Sequence, residues 1–228
     1  MIEAVLFDLD GTLADTAPDM ARTVNAMRTR RGLKPVTTES VRAHVSRGAR
    51  GMLMATFDVG GDHPDFAAMR DEFLEIYANN LCVETRLFPG MPQLLARLEA
   101  GHIAWGVVTN KFERLARPLI ENLGLGARAA VVIGGDTCPR PKPFPDPLLF
   151  AAASMGVAPI HTLYVGDDER DVQAARAAGM PVVVAGYGYL GEGPPPSMWN
   201  ADGILNSPAE LEAWIFATIP SRAVGVET

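Results

Sequence analysis

The sequence predicts an α/β protein with a doubly wound parallel sheet and a helical segment inserted near the start of the chain. From residue 91 onward, apolar runs of strand length alternate with segments of helical period, which is typical of a parallel sheet covered by helices. Between residues 16 and 87, only helical patterns occur. We therefore expect a sheet-based core carrying one helical insertion.

The first predicted strand is the apolar run Val5–Phe7, which ends at two aspartates, Asp8 and Asp10. Because side chains alternate along a strand, both carboxylates leave its end on the same side, within reach of one cation or phosphoryl group. Gly11 allows a sharp turn there, and Thr12 adds a hydroxyl and an amide donor. The stretch predicts a cluster of oxygens beside a turn that accepts an anion.

The insertion contains several helical patterns. Thr16–Asp19 is typical of a helix start with a capping box, and a second, short helix is predicted to begin at Thr38. The basic stretch Ser46–Gly51 predicts a flexible break, whereas residues 66–77 carry the apolar stripe of a helix. We expect residues 16–87 to form a cap domain, and residues 1–15 and 88–228 to form the core.

The remaining elements follow in strict alternation. Several of the helical patterns end at a glycine, for example Gly101, Gly124 and Gly179, and each strand pattern is a short apolar run. A loose tail is expected after Pro220. The predicted strands are 103–108, 130–133, 162–165, 182–185 and 203–205. The predicted helices are 91–101, one with Leu115, Leu119 and Leu123 that stops at Gly124, 147–155, one that runs through Ala178 to Gly179, and 208–217.

Composition restricts the possible partners. The chain has 228 residues, a formal net charge of -7 and 48% hydrophobic residues. This acidic balance argues against nucleic acid or an acidic membrane surface as a partner, since both require a basic face. No apolar run approaches the ~20 residues of a membrane helix, and no targeting pattern precedes the first strand, so a cytoplasmic protein is expected. The sequence leaves both a monomer and a homodimer open. Cys82 and Cys138 are expected to be reduced thiols.

Polar residues also follow the later strands. Thr109 and Asn110 end one strand, Asp167 and Asp168 end another, and Lys142 lies in a proline-rich loop. Parallel strands deliver their carboxyl ends to one edge of the sheet, so these side chains should meet Asp8 there. The hydroxyl and amide suit phosphate oxygens, the lysine can neutralise them, and the excess of carboxylates favours a hard divalent cation such as Mg²⁺.

Taken in order, these residues resemble the four motifs of the haloacid dehalogenase superfamily, phosphatase branch, and the resemblance covers essentially the whole chain. It implies a Rossmann-like core with a C1-type helical cap. The stretches that carry it are Asp8-Leu9-Asp10-Gly11-Thr12, Thr109-Asn110, Lys142 and Gly166-Asp167-Asp168.

The resemblance implies roles for these residues in the hydrolysis of a small phosphomonoester. Asp8 would be the nucleophile that forms an aspartyl-phosphate, and Asp10 the general acid and base. Thr109 and Lys142 would stabilise the transferring phosphoryl group, together with Asn110 and the turn at Gly11 and Thr12.

The resemblance also implies a Mg²⁺ site. Its ligands would be Asp8, the backbone carbonyl of Asp10, and Asp167. Asp168 and Asp171 would lie behind these ligands, and Asp171 is a candidate partner for Lys142.

Two arginines of the predicted flexible break lead to a separate hypothesis. Arg47 and Arg50 could contact an anionic leaving group, since arginine binds carboxylates bidentately. Solvated surface charges are the alternative interpretation of the same residues.

Other functions stay open at this point. A phospho-accepting signalling module also places acids, Thr and Lys at strand ends, but has no use for an insertion of roughly 70 residues. Asp10 and Asp167 argue against a hydrolytic dehalogenase, and the only cap lysine, Lys34, lies in a proline turn, which disfavours a phosphonatase. A phosphomutase shares all four motifs.

Among phosphatases, the chain looks like the phosphoglycolate phosphatase group. It is also similar to bacterial N-acetylmuramic acid 6-phosphate phosphatases, including the stretches Trp105–Lys111, Gly166–Asp168 and Tyr187–Tyr189. The leaving group distinguishes the two activities, and the sequence does not identify it.

Overall fold

The computed structural model describes residues 1–217 and contains a six-stranded parallel sheet covered by helices. The prediction of a tail after Pro220 lies outside the described residues. The strands are β1 (Ala4–Phe7), β2 (Ala14–Asp15), β3 (Arg86–Leu87), β4 (Ala104–Val108), β5 (Val132–Ile133), β6 (Thr162–Gly166), β7 (Val182–Ala185) and β8 (Gly203–Leu205). The helices are α1 (Ala17–Arg30), α2 (Thr38–Val41), α3 (Gly48–Phe57), α4 (Phe66–Ala78), α5 (Met91–Ala100), α6 (Glu113–Asn122), α7 (Asp146–Met155), α8 (Glu169–Ala178) and α9 (Pro208–Ala217).

Strand β1 lies at the topological switch point of the sheet. Strands β4 and β5 are added on one side of it, and β6, β7 and β8 on the other. The order is β5-β4-β1-β6-β7-β8, and β1 pairs in parallel with both β4 and β6. In open α/β sheets, ligands bind in the crevice at such a switch point. The predicted fold class is confirmed, and the topology brings the ends of β1, β4 and β6 together.

Strand β1 is buried on both faces. Val5 and Phe7 pack in one apolar cluster with α1 and α5, whereas Leu6 packs in a second cluster on the opposite face with α7 and α8. A continuous apolar run is what a strand buried on both faces requires. Asp8 follows directly after this buried strand.

The segment between β2 and β3 is helical, with one feature that the sequence did not reveal. Strands β2 and β3 pair antiparallel, with Ala14 opposite Leu87, so the two connections of the insertion form a small sheet of their own. The strands are only two residues long, too short for an alternating pattern to be detected in the sequence.

The prediction of a capping box at Thr16–Asp19 was wrong. Thr16 makes no side-chain cap; its hydroxyl donates to Asp10. The fully buried Asp19 accepts hydrogen bonds from the amides of Glu84 and Thr85 at 3.1 and 2.9 Å, and from the Thr85 hydroxyl at 2.7 Å. Tertiary donors have taken the place of local ones, and they fasten α1 to the segment preceding β3.

The predicted flexible break at Ser46–Gly51 was also wrong. A 3₁₀ helix covers Arg42–Arg47, and α3 follows directly from Gly48. Gly51 serves close packing, because a Cβ there would lie 2.4 Å from the carbonyl oxygen of His44.

Among residues 1–217, no helix combines the length and the apolar character that a membrane span needs.

Candidate active site

The carboxyl end of β1 opens into a cavity of about 270 Å³ between the sheet and the helical insertion. Asp8 and Asp10 lie on its wall and are only 7% and 8% exposed. The other predicted residues on the wall are Thr109, Asn110, Lys142, Asp168, Asp171, Arg47 and Arg50.

Three carboxylates come together at the sheet edge. Oxygens of Asp8, Asp167 and Asp171 lie within 4.8 Å of one another, and all three residues are buried. The Asp10 carboxylate is not in this group. Asp171 is in it, although the sequence analysis placed Asp171 behind the metal ligands. A compact set of buried carboxylate oxygens is the donor set that a hard divalent cation prefers.

The electrostatics of this triad point the same way. Burial raises the pKa of Asp8 to about 6, with Lys142 opposing the shift and Asp171 adding to it. Burial, and then the charge of Asp8, raise the pKa of Asp167 well above its usual value. Ionised carboxylates held this close therefore need a compensating positive charge.

The turn after β1 supports Asp167. Gly11 has a φ of +84°, and a Cβ there would lie 2.2 Å from Asp167 Oδ2. Thr12 donates its hydroxyl to Asp167 Oδ1 at 2.9 Å, and the Tyr189 amide donates to Asp167 Oδ2 at 2.9 Å. Gly11 and Thr12 thus pack against Asp167, and neither is among the residues that line the cavity.

Lys142 lies at the centre of the site. Its Nζ is 3.0 Å from Asp8 Oδ1 and 2.7 Å from Asp171 Oδ1, and it also donates to the Tyr164 hydroxyl at 2.8 Å. Burial by itself would lower the pKa of this lysine, but Asp171 and Asp8 outweigh burial and raise it. Lys142 therefore carries its charge directly beside Asp8.

Thr109 and Asn110, at the end of β4, have different surroundings. Thr109 is 2% exposed, and its hydroxyl oxygen accepts a hydrogen bond from the Lys111 amide at 3.2 Å. The Asn110 side chain donates to the Lys142 carbonyl at 2.9 Å and accepts from the Lys142 amide at 3.0 Å. Asn110 thus holds the loop that carries Lys142.

The Asp10 carboxylate is bound by Lys111 and Thr16 and is not part of the triad. It accepts hydrogen bonds from Lys111 Nζ at 2.8 and 2.9 Å and from the Thr16 hydroxyl at 2.5 Å. Sequence reasoning assigned no role to Lys111, although its rarity was a signal, since the chain has only three lysines. Tyr164 was missed too, because nothing in the sequence distinguishes it from an ordinary residue of a buried strand.

Asp168 links the core to the insertion through Arg170. Asp168 and Asp171 form a capping box at the start of α8, and Arg170 donates to the Asp168 carboxylate and to the Ser46 carbonyl at 2.8 Å. Burial opposes ionisation of Asp168, but hydrogen bonds and charge from Arg170 outweigh it and lower the pKa. The Asp168 carboxylate is thus occupied by an arginine.

This switch-point crevice, with its buried acids, threonine and lysine, defines the class of the chain. The family model for haloacid dehalogenase-like hydrolases matches residues 5–185, and the chain belongs to this family. It is an enzyme of the phosphatase branch, which goes against a non-enzymatic signalling module.

The chain is also similar to individual proteins that are named as phosphatases. The chain is 50% identical over 212 residues to a phosphoglycolate phosphatase of Xanthomonas campestris pv. campestris, covering 91% of this chain and 94% of the relative. It is 43% identical over 210 residues to an N-acetylmuramic acid 6-phosphate phosphatase of Pseudomonas aeruginosa, covering 92% and 93%. A crystal structure described as a predicted phosphoglycolate phosphatase from Haemophilus somnus 129PT superposes with a TM-score of 0.82 at 28% identity, covering 94% and 98%. The predicted resemblance is confirmed.

The raised pKa of Asp8 leads to a test of stability without metal. Between the ordinary value of 3.8 and about 6, the folded protein binds more protons at Asp8 than the unfolded chain does, so this carboxyl's contribution to the free energy of unfolding falls as pH rises. Raising the pH from about 5 to about 7.5 in chelator should cost wild type about 1.4 kcal/mol more than Asp8→Asn, because most of the proton release at Asp8 falls in this interval.

Thermal unfolding of both proteins at the two pH values measures this difference. At the higher pH, Mg²⁺ should restore several degrees of melting temperature to wild type and less to Asp8→Asn. Identical pH dependence in the two proteins would contradict the assignment of a charge-strained carboxyl at Asp8.

Proposed function

We propose that this chain is a Mg²⁺-dependent phosphomonoester hydrolase that acts on a small phosphorylated metabolite of the phosphoglycolate type through an aspartyl-phosphate on Asp8. One observation carries the proposal: Asp8 lies at the carboxyl end of β1, beside both Lys142 and the carboxylates of Asp167 and Asp171. An anionic nucleophile can approach a phosphate dianion only where positive charge offsets their repulsion.

The residues present fit a magnesium ion. Asp8, Asp167 and the backbone carbonyl of Asp10 would hold it, with Asp171 close to the same set. When bound, the ion would offset the charge of the carboxylates and of the phosphoryl oxygens.

In the first chemical step, an Asp8 carboxylate oxygen attacks phosphorus, and the bond from phosphorus to the ester oxygen breaks. Lys142 and Thr109 bind the phosphoryl oxygens. Asp10, which enters this step protonated, gives its proton to the departing alkoxide and is left as a carboxylate. In the second step, water attacks the phosphorus of the aspartyl-phosphate and passes its proton to Asp10. Inorganic phosphate and the free Asp8 carboxylate are released.

The insertion, residues 16–87, acts in this proposal as a cap that excludes water and contacts the leaving group. Arg47 and Arg50 support this, because both belong to the insertion and line the same cavity as Asp8. Phe73 and Leu74 of α4 add an apolar surface to the same wall. We infer that the active protein is cytoplasmic and acts as a monomer or a homodimer. Its substrate is a small molecule, and we propose no nucleic acid or membrane partner.

A second candidate substrate is N-acetylmuramic acid 6-phosphate. A neighbouring cavity of about 490 Å³ favours it, since this cavity shares Arg47, Arg50, Asp168 and Arg170 with the first one and offers room for a sugar.

A substrate panel tests the proposal. Purified protein is given 2-phosphoglycolate, N-acetylmuramic acid 6-phosphate and a set of sugar phosphates, with Mg²⁺ or with chelator, and phosphate release is measured. We expect Mg²⁺-dependent hydrolysis, with the highest kcat/KM on one of the two named esters. Absence of hydrolysis of every ester in Mg²⁺ would contradict the proposed function.

A further inference from the structure

Lys111 is a buried cation on the wall of the candidate active site that the proposed mechanism does not use. Its side chain is 4% exposed, and its Nζ lies 2.8 Å from Asp10 Oδ1. In the proposed mechanism, Asp10 gives its proton to the leaving-group oxygen, so that oxygen must lie within hydrogen-bond reach of Asp10. Lys111 Nζ, one hydrogen bond beyond the same carboxylate, therefore borders the leaving group rather than the phosphoryl group.

Tyr77 of α4 completes this corner of the cavity. It is 1% exposed and lines the cavity. Within the part of the chain that the structure describes, its hydroxyl makes no hydrogen bond of normal length, and Lys111 is close enough to interact with it electrostatically. Lys111 Nζ lies 4.8 Å from the centroid of the Tyr77 ring. A buried hydroxyl without a partner costs free energy, so a group bound in the cavity is the natural source of its missing hydrogen bond.

Both groups are donors. Burial raises the pKa of Tyr77 to about 12, with Lys111 opposing the shift, so the hydroxyl keeps its proton near neutral pH. Burial would lower the pKa of Lys111, but Asp10 and then Tyr77 outweigh it and raise the pKa, so the ammonium keeps its charge. An ammonium and a phenol that converge on one corner fit an acceptor with negative charge, which is the chemistry of a carboxylate.

Lys142 and Lys111 serve different ends of the cavity. Lys142 contacts Asp8 and Asp171, where the phosphoryl group would bind, whereas Lys111 contacts Asp10, where the leaving group begins. Because Lys111 Nζ lies only 2.8 Å from Asp10 Oδ1, a carboxylate that reaches Lys111 while the ester oxygen stays beside Asp10 belongs close to that oxygen in the leaving group.

We propose that Lys111 and Tyr77 form a specificity subsite that selects phosphate esters whose leaving group carries a carboxylate next to the ester carbon. This inference rests on the proposed function and goes beyond it, because it assigns selectivity to two residues outside the phosphoryl-binding set. Lys111 binds the carboxylate by charge, and Tyr77 donates the second hydrogen bond.

The test compares two esters that differ only in this group. Steady-state kinetics are measured on 2-phosphoglycolate and on ethyl phosphate, its counterpart with a methyl group in place of the carboxylate, for wild type, Lys111→Met and Tyr77→Phe. We expect wild type to prefer 2-phosphoglycolate in kcat/KM. Lys111→Met should reduce that preference by at least about tenfold, mainly through KM, and Tyr77→Phe by roughly threefold to tenfold.

Lys34→Met is the matched control, because it removes an exposed lysine outside the cavity lining and should retain the preference. An equal loss of kcat/KM on both esters in Lys111→Met would overturn the subsite and leave Lys111 acting through Asp10 alone, as would a wild type that does not prefer 2-phosphoglycolate. If Lys111→Met fails to fold, Tyr77→Phe, which retains the ring, carries the test. Failure of the proposed function has a different signature, since then no ester is hydrolysed at all.

Discussion

Replacing Asp8 by asparagine should reduce kcat by roughly 10⁴-fold or more while the fold is retained. The asparagine amide has nearly the shape of the carboxylate but cannot attack phosphorus. The variant should fold, because Asp8 lies in a cluster of like charges and losing one of them relieves repulsion with Asp167 and Asp171. Phosphate release from the best ester of the panel, together with thermal unfolding, measures both parts of the prediction.

Asp62→Asn provides the control for this substitution, since Asp62 is exposed in the loop before α4 and away from the cavity. Its kcat should equal that of wild type. Hydrolysis by Asp8→Asn at a rate near that of wild type would remove the nucleophile assignment and the aspartyl-phosphate with it.

The second large effect is expected at the candidate metal site. Excess chelator should abolish turnover, and Mg²⁺ should restore it. Asp167→Asn should lower kcat/KM by at least roughly 100-fold and raise the Mg²⁺ concentration needed for half-maximal activity. The reason is that Asp167 shares the triad with Asp8, and its two oxygens are already oriented by Thr12 and by the Tyr189 amide.

Asp168 offers a neighbouring comparison. Its carboxylate bonds to Arg170 and is not part of the triad, so Asp168→Asn should leave the Mg²⁺ requirement close to that of wild type. Titrations of activity with Mg²⁺ distinguish the two variants. Full turnover in excess chelator, or equal Mg²⁺ requirements in the two variants, would be incompatible with a metal held at Asp167.

The sequence alone was enough to predict the sheet and its functional edge. Apolar runs of strand length alternate with helical periods, and this alternation implies parallel strands whose carboxyl ends meet. Asp8, Thr109, Lys142 and Asp167 could therefore be grouped although they are far apart in the chain. The reason is physical: strand direction and burial follow from local patterns of polarity, and the patterns here agree along the whole length.

The partner of each side chain was decided only by the tertiary structure. The Asp10 carboxylate pairs with Lys111, the Asp171 carboxylate lies with those of Asp8 and Asp167, and Asn110 holds the loop of Lys142. Thr16 and Asp19 looked like a local helix cap, yet each found a donor or acceptor elsewhere in the chain. Several acidic side chains lie near one edge of the sheet, together with a few cations and amide donors. Which acid pairs with which donor depends on the direction that the packed backbone gives each side chain. One-dimensional patterns contain the residue types, whereas these directions exist only after the chain has folded.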